Sequence, residues 1–293
     1  MQRLSAAILG AIFLCTPCGS AAQNVDHFDE VREFQDPPPL AFDRFRYGSA
    51  EDEMVTITVP RRAQPVPLII WFPWPSVDMA THQDTSWMRS FLFNAGVATA
   101  RIRLPDASHR ALPDFLDSCV RALAEIARQG RRFGYDESRI ILAGWGWSSH
   151  PAALFALDPS YAQKSGVPFE NIRGLLLIEP AGLDLDGERR LASNHVPRQI
   201  AKLLPQAPAE GAYSPLSHAA PPNIPEALVL NSRKARDRGM LDAKIAETLR
   251  ASGVAVTLES LTAASSDVRR SMIGGPGHSA NPLIESFLER TVR

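Results

Sequence analysis

The residues whose types and spacing could do chemistry lie in one turn, Gly144-Trp145-Gly146-Trp147-Ser148. The turn follows the aliphatic run Ile140–Ala143 and precedes a stretch rich in alanine and leucine, which together predict a strand, a sharp turn and a helix. A unit of this kind with the pattern G-x-S-x-G, the nucleophile elbow, raises a serine hydroxyl above the strand ends for nucleophilic attack. Aligned without a gap, the chain has Gly146 where that serine is required. We therefore predict an elbow that lacks its nucleophile.

A shifted alignment supplies a serine and is the alternative. If two residues are inserted before the turn, the elbow becomes Gly146-Trp147-Ser148-Ser149-His150, with Ser148 as the nucleophile. The residues two before and two after the nucleophile have to be small, because strand and helix approach closely there. The ungapped alignment meets this requirement with Gly144 and Ser148, whereas the shifted one places the imidazole of His150 where glycine is usual. We favour the ungapped alignment.

The same run does not fit a cofactor or metal motif. As the nucleotide-binding pattern G-x-G-x-x-G it lacks the last glycine, because Ser149 stands at that position. Neither H-E-x-x-H nor paired C-x-x-C occurs after residue 22. We therefore predict no cofactor and no metal.

The N-terminus has the pattern of a secretory signal. Met1–Ala22 carries one positive charge at Arg3, then the apolar run Leu4–Leu14, then the small residues Gly19–Ala22. The apolar run is shorter than the about 20 residues that span a bilayer. We expect residues 1–22 to be removed, the protein to be periplasmic or secreted, and no stable membrane anchor; an uncleaved anchor is the alternative.

Charge and cysteine content exclude further classes of function. Without Arg3 the chain keeps 30 of its 31 Lys and Arg against 32 Asp and Glu, and no basic face argues for nucleic acid. Cys15 and Cys18 lie inside the signal, so Cys119 alone remains. Its place on an apolar helix face predicts a buried structural thiol.

Strands and helices alternate after a polar arm at residues 23–45. The predicted strands are Met54–Val59, Pro67–Phe72, Val97–Ile102, Ile140–Ala143, Arg173–Ile178, Ala227–Leu230 and Val254–Leu261, and the predicted helices are Ser86–Asn94, Pro113–Gln129, the segment after the elbow, Gly239–Ala251 and Asn281–Arg290. The first strand alternates as an edge strand does. This order predicts an α/β fold with a mostly parallel, doubly wound sheet. We expect one domain, residues 46–293, with a small cap insertion at about 184–222 that includes a short helix near Val196–Leu204.

From about Val55 to the C-terminus the chain resembles the carboxylesterases of the α/β-hydrolase fold, in particular the hormone-sensitive-lipase-like and feruloyl-esterase-like families. Besides the elbow, the resemblance is carried by Asn94–Val97, Phe133–Ile140, Tyr213–His218 and Gly275–His278. It implies the α/β-hydrolase fold. It also implies a site with a serine nucleophile, a histidine base, an acid that orients the histidine, and backbone N–H groups that hold the oxyanion.

The resemblance assigns the other triad positions. The histidine corresponds to His278. The acid should follow the strand Ala227–Leu230, and its position falls on or beside Ala235, which has no carboxylate. Asp237 serves only if the loop is rearranged, and otherwise is a solvated charge. An active carboxylesterase that uses Ser148, His278 and Asp237 is thus the alternative to an inactive one.

The loop after the second strong strand also departs from the family. The family has His-Gly-Gly-Gly there, and this chain has Pro73-Trp74-Pro75-Ser76, whose prolines donate no hydrogen bond. Trp74, Trp145 and Trp147 fall on the two loops expected to line the crevice. We interpret these indoles either as filling a vacated pocket or as binding a small acyl, aryl or sugar ligand. The sequence thus predicts an exported protein with a degenerate site that binds a ligand or a protein partner without turnover.

Overall fold

The structure, a computed structural model, describes residues 40–73, 86–104, 111–185, 187–188, 210–232, 236–261 and 273–292. All of these residues belong to one compact unit, Asp36–Arg293. Several predictions fall outside the described residues: the signal at 1–22, most of the arm, most of the cap insertion with its short helix, Trp74 and Ala235. They stay predictions.

An eight-stranded sheet organises the described part of the chain. Its strands are β1 (Asp43–Arg46), β2 (Met54–Thr58), β3 (Val66–Trp71), β4 (Ala98–Arg103), β5 (Tyr135–Trp145), β6 (Ile172–Ile178), β7 (Glu226–Ser232) and β8 (Ala255–Leu261). Their order in the sheet is β1-β2-β4-β3-β5-β6-β7-β8. The pairs β1–β2 and β2–β4 are antiparallel, and the other five pairs are parallel. The predicted mostly parallel, doubly wound sheet is confirmed.

Helices connect the strands and cover the sheet. The described helices are α1 (Ser86–Asn94), α2 (Leu112–Arg128), α3 (Gly130–Phe133), α4 (Ser149–Leu157), α5 (Pro159–Ser165), α6 (Glu210–Tyr213), α7 (Arg236–Ala251) and α8 (Asn281–Thr291), with 3₁₀ turns at Gly146–Ser148, Phe169–Asn171 and Pro215–His218. No described helix is long and apolar enough to cross a membrane.

Each face of the sheet has its own apolar core. On one face α2, α4 and α7 pack against Leu68, Leu142 and Leu175, and on the other α1 and α8 pack against Ile69 and Ile141. Helix α2 contributes one apolar stripe, and Cys119 lies within it, fully buried as predicted. The central strands read as continuous apolar runs because both of their faces are covered.

The antiparallel edge of the sheet corrects one prediction. β2 is not the edge strand, because β1 pairs with it from Asp43 onward. The sheet therefore begins inside the segment that we predicted as an extended arm. β1 has only four residues, too few to show an alternating pattern of its own. The short helices α3, α5 and α6 were missed for the same reason, since four to seven residues show little periodicity.

Candidate functional site

The turn after β5 lies at the carboxyl end of a central strand, between β3 and β6. β5 ends at Trp145, one 3₁₀ turn covers Gly146–Ser148, and α4 begins at Ser149. Gly146 has φ +57°, in the left-handed region that favours glycine. Its carbonyl accepts a hydrogen bond from Ala181 N at 3.1 Å, which ties the turn to the segment that follows β6.

Strand and helix approach each other most closely at Gly144. A Cβ atom there would lie 2.4 Å from Ser148 O and 2.5 Å from Ser149 N, both of them backbone atoms. A Cβ atom at Gly146 would meet nothing within 4 Å. The tight contact of this elbow is thus two residues before Gly146, and the space above Gly146 is open.

The hydroxyl of Ser148 is engaged inside the turn. Ser148 Oγ accepts a hydrogen bond from Trp145 N at 2.7 Å and donates one to Trp145 O at 2.8 Å. The residue is only 2% exposed. Both hydrogen bonds of this hydroxyl go to backbone and neither goes to an imidazole, so the contact that activates a catalytic serine is not made here.

His278 lies in a fixed turn before α8. Asn281 accepts a hydrogen bond from Gly274 N at 3.0 Å and donates one to Gly275 O at 2.8 Å, which holds the turn against the helix. His278 Nδ1 accepts a hydrogen bond from Ala280 N at 3.1 Å. In a triad this nitrogen carries a proton and donates a hydrogen bond to the acid. While Nδ1 accepts this hydrogen bond it carries no proton, whereas a triad requires a proton on Nδ1.

Of the two candidate positions for the acid, the structure describes the backbone of one and nothing of the other. Ala235 lies outside the described residues. Asp237 is part of α7, which begins at Arg236, so its backbone is helical rather than part of a free loop. The position of its side chain is not described, and its catalytic role stays a prediction.

The described crevice tryptophans pack on opposite faces of the sheet. Trp145 is 6% exposed and belongs to the core beneath α1 and α8. Trp147 packs against the other core, and its ring is so close to Gly182 that a Cβ there would lie 2.8 Å from Cζ3. The burial of Trp145 agrees with the core-filling interpretation. A ligand-binding role for these two residues and for Trp74 stays a prediction.

His150 holds two segments together from the interior of α4. The side chain is completely buried, and Nε2 donates a hydrogen bond to Tyr213 O at 2.7 Å. Burial lowers the pKa of His150 from 6.5 to about 4, although the bond to Tyr213 acts in the opposite direction. The imidazole is neutral near pH 7 and acts as a structural donor.

Glu179 is a residue that the sequence analysis missed. It follows β6 directly and has φ +49°, the only positive φ of a non-glycine residue in the described chain. Its N–H donates to Leu230 O at 2.7 Å. A charged residue immediately after the apolar run of β6 was the available signal, and non-glycine residues in this conformation concentrate at functional sites.

A cavity of about 220 Å³ borders the elbow at Ser148 and extends over the antiparallel edge of the sheet. Its walls come from β1, β2, β3, β4 and α1. No group of three or more His, Cys, Asp or Glu side chains that could hold a metal ion occurs within the described ranges.

The strand order, the sharp turn after β5 and the histidine turn before the last helix together define the α/β-hydrolase fold, and the chain has this fold. No protein-family model matches the sequence, and no curated protein sequence matches it.

Solved structures of esterases are similar over most of the chain. They include EstE1, a thermophilic and thermostable carboxylesterase cloned from a metagenomic library, with a TM-score of 0.66 and 17% identity over 88% of this chain and 91% of that one. Esterase B from Lactobacillus rhamnosis has a TM-score of 0.69 and 13% identity, covering 87% of each chain. A truncated carbohydrate esterase from gut microbiota has a TM-score of 0.70 and 13% identity, covering 88% of this chain and 98% of that one. At these identities the similarity is one of fold.

Proposed function

We propose that this chain is an exported binding protein built on the α/β-hydrolase fold, which takes up a small ligand without hydrolysing it. The observation that carries the proposal is Gly146. It occupies the open, left-handed position of the elbow and has no side chain with which to attack an acyl carbon. The close contact at Gly144, two residues earlier, supports the alignment that places Gly146 there.

The alternative nucleophile is less well suited to attack. Ser148 would have to break both hydrogen bonds to Trp145 and leave a position that is 2% exposed. The imidazole of His278 would have to give up the hydrogen bond that Nδ1 accepts from Ala280 N and carry a proton on that nitrogen instead. Each of these changes opposes turnover, and the alternative needs them together.

The oxyanion loop gives the same indication. Pro73, which begins this loop, is buried, and neither Pro73 nor Pro75, which stands at one of the family's glycine positions, has an N–H to donate. Loss of one oxyanion donor in an active enzyme costs about 2.7 to 4 kcal/mol of transition-state stabilisation. A chain that lacks both the serine hydroxyl of the elbow and an oxyanion N–H donor should have little catalytic activity.

Ester hydrolysis is the direct test. Purified protein should hydrolyse short activated aryl esters no faster than a heat-denatured sample, whereas a working esterase of the same fold, assayed in parallel, should be active. Gly146→Ser should restore little, because triad members act as a unit. Ser148→Ala and His278→Ala should leave the rate at the background level.

The opposite result would be equally clear. Turnover by the wild-type protein that is abolished by Ser148→Ala, with Ser148 labelled by an active-site phosphonate, would establish the esterase and refute the binding protein. His278→Ala would then abolish turnover as well, which separates a real triad from a contaminating activity.

Export is the second part of the proposal and rests on the N-terminal signal pattern. The intact mass of protein recovered from the periplasm or the medium should correspond to a chain that begins near Gln23. A cytoplasmic product that retains residues 1–22 would contradict export without affecting the binding function.

A further inference from the structure

One face of the sheet changes its chemical character at the antiparallel edge. Under α1 and α8 the central strands present aliphatic side chains such as Ile69 and Ile141. On β1, β2 and β4 the same face presents threonines and arginines instead, and these residues line the 220 Å³ cavity. Polar side chains on a face that a helix partly covers cost desolvation free energy unless they are hydrogen-bonded.

Strand register aligns these side chains in a row. Arg44 pairs with Thr56, Thr56 with Arg101, and Arg101 with Trp71, so four adjacent strands each place one side chain in line. Paired residues of neighbouring strands point to the same face, with Cβ atoms roughly 5 Å apart. A second row, Thr58 paired with Thr99, lies two residues along. Together the two rows form the floor of the cavity.

Helix α1 adds a third arginine above this floor. Arg44, Arg89 and Arg101 all line the cavity. The buried Nε of Arg89 has no hydrogen-bond partner, and in the part of the chain that the structure describes no carboxylate pairs with Arg89 or Arg101. A buried guanidinium donor without a partner is costly, and a ligand that accepts its hydrogen bond would remove that cost.

The electrostatic environment agrees with this geometry. Arg101 is exposed to solvent on one side, but the protein packed around it lowers its pKa, first by desolvation and then through the neighbouring charges of Arg89 and Arg103. Arg103 is neutralised in part by Asp52 at 3.1 Å and does not line the cavity. Among the described residues the cavity thus brings three arginines together without a paired carboxylate, beside the buried side chains of Phe72 and Met88.

We propose that this cavity binds a small organic acid, with its carboxylate held by Arg89 and Arg101 and its apolar part against Trp71 and Met88. The inference rests on the binding function proposed above and names its class of ligand. Guanidinium groups bind carboxylates through paired, charge-assisted hydrogen bonds, and the threonine hydroxyls supply further donors.

The size and walls of the cavity favour an organic acid over an inorganic anion. A cavity of about 150 Å³ accommodates benzene, so 220 Å³ has room for one ring and a carboxylate. Trp71, Phe72 and Met88 give apolar surface that phosphate would not use. A small aryl carboxylate satisfies the charge and the shape together.

Calorimetric titration of the full-length mature protein tests the proposal, with benzoate as the ligand. Benzoate should bind saturably and more weakly as sodium chloride is added. Benzamide, which has the same shape without the charge, and inorganic phosphate should bind much more weakly. Arg89→Gln and Arg101→Gln should each weaken benzoate binding by about tenfold or more.

Two further variants separate recognition from folding and from net charge. Thr99→Val keeps the shape of a buried floor residue and should weaken benzoate binding by a smaller factor. Arg128→Gln removes the same charge from an exposed ion pair with Glu125 on α2 and should leave binding unchanged. Far-ultraviolet circular dichroism of each variant establishes that it is folded.

Several outcomes would overturn the assignment. Equal binding of benzamide would show that charge is not recognised, and binding of phosphate in preference to benzoate would refute an organic acid. Absence of benzoate binding by folded wild-type protein, or equal weakening by Arg128→Gln, would refute the site. The ester assay on the same samples is independent: benzoate binding with turnover would refute only the non-catalytic function, and neither binding nor turnover would refute only the organic-acid site.

Discussion

Replacing each of the two elbow glycines, Gly144 and Gly146, by alanine should change the free energy of unfolding by clearly different amounts. At Gly144 an added Cβ would lie 2.4 Å from Ser148 O, whereas ordinary contact begins at 3.4 Å, so the start of α4 would have to move by about 1 Å. All nine residues of α4 are buried, which makes that shift costly. Overpacking typically costs about 1 to 3 kcal/mol and occasionally more. We expect Gly144→Ala to lower the free energy of unfolding by about 3 kcal/mol or more.

At Gly146 the cost comes from the backbone alone. An added Cβ meets nothing within 4 Å, but φ is +57°. A left-handed conformation costs an L-residue about 1 to 2 kcal/mol, and the stiffer unfolded chain offsets about 0.4 to 1 kcal/mol of this. Gly146→Ala should therefore destabilise by about 1 kcal/mol.

Urea unfolding followed by tryptophan fluorescence and circular dichroism measures both free energies. Gly166→Ala is the matched control, because Gly166 also has a positive φ, +71°, and open space around it. Its effect should equal that of Gly146→Ala. If Gly146→Ala cost as much as Gly144→Ala, the strand and helix would meet at Gly146, and the shifted elbow with Ser148 as nucleophile would be restored.

Three other predictions concern buried groups. The pKa of His150 is about 4 in the folded protein and 6.5 ordinarily, so between these pH values the unfolded chain binds a proton that the folded protein does not. The free energy of unfolding should therefore be full above pH 6.5 and fall by up to about 3 kcal/mol towards pH 4. Urea unfolding at each pH should show a smaller pH dependence for His150→Gln than for wild type. Burial raises the pKa of the Cys119 thiol, so native mature protein should not react with a disulfide reagent until it is unfolded, and rapid labelling of the native state would contradict the buried position. Arg89→Met removes a buried donor without a partner and should raise the free energy of unfolding, measured without ligand, by about 1 kcal/mol. Urea unfolding would detect this gain. If there were no gain, the Nε of Arg89 would already have a hydrogen-bond partner.

The sequence was sufficient for the central sheet and its helices. Apolar runs such as Pro67–Phe72 and Arg173–Ile178 are long enough to identify buried strands, and the stripe of α2 shows helical periodicity over 17 residues. It was insufficient for β1, which has four residues and is recognisable as a strand only through its pairing with β2.

The cavity could not be predicted from the sequence either, and the reason differs from that for β1. The alternation of Thr56 and Thr58 indicates a half-buried strand, and the sequence analysis therefore placed it at the edge of the sheet. Only the register brings Thr56 beside Arg101 and Arg101 beside Trp71. These three residues lie on strands separated by helices and loops, and no local pattern reports which of them become neighbours. The hydrogen bonds of Ser148 to Trp145 are likewise a product of the turn geometry.

The elbow and the cavity differ in local energetic cost: the elbow is free of backbone strain, whereas the cavity holds charged side chains without described partners. A serine at the position of Gly146 would carry about 1 to 2 kcal/mol of backbone strain, a cost that working elbows accept because the strained residue is the one that attacks. Here glycine removes the strain, and Ser148 closes the turn with two hydrogen bonds. The cavity is different, because burial and the neighbouring charges of Arg89 and Arg103 lower the pKa of Arg101. Among the described residues no carboxylate pairs with Arg89 or Arg101, and the buried Nε of Arg89 has no hydrogen-bond partner. Local energetic cost of this kind is typical of functional sites. These differences support the proposal that the ligand binds in the cavity at the sheet edge rather than at the elbow.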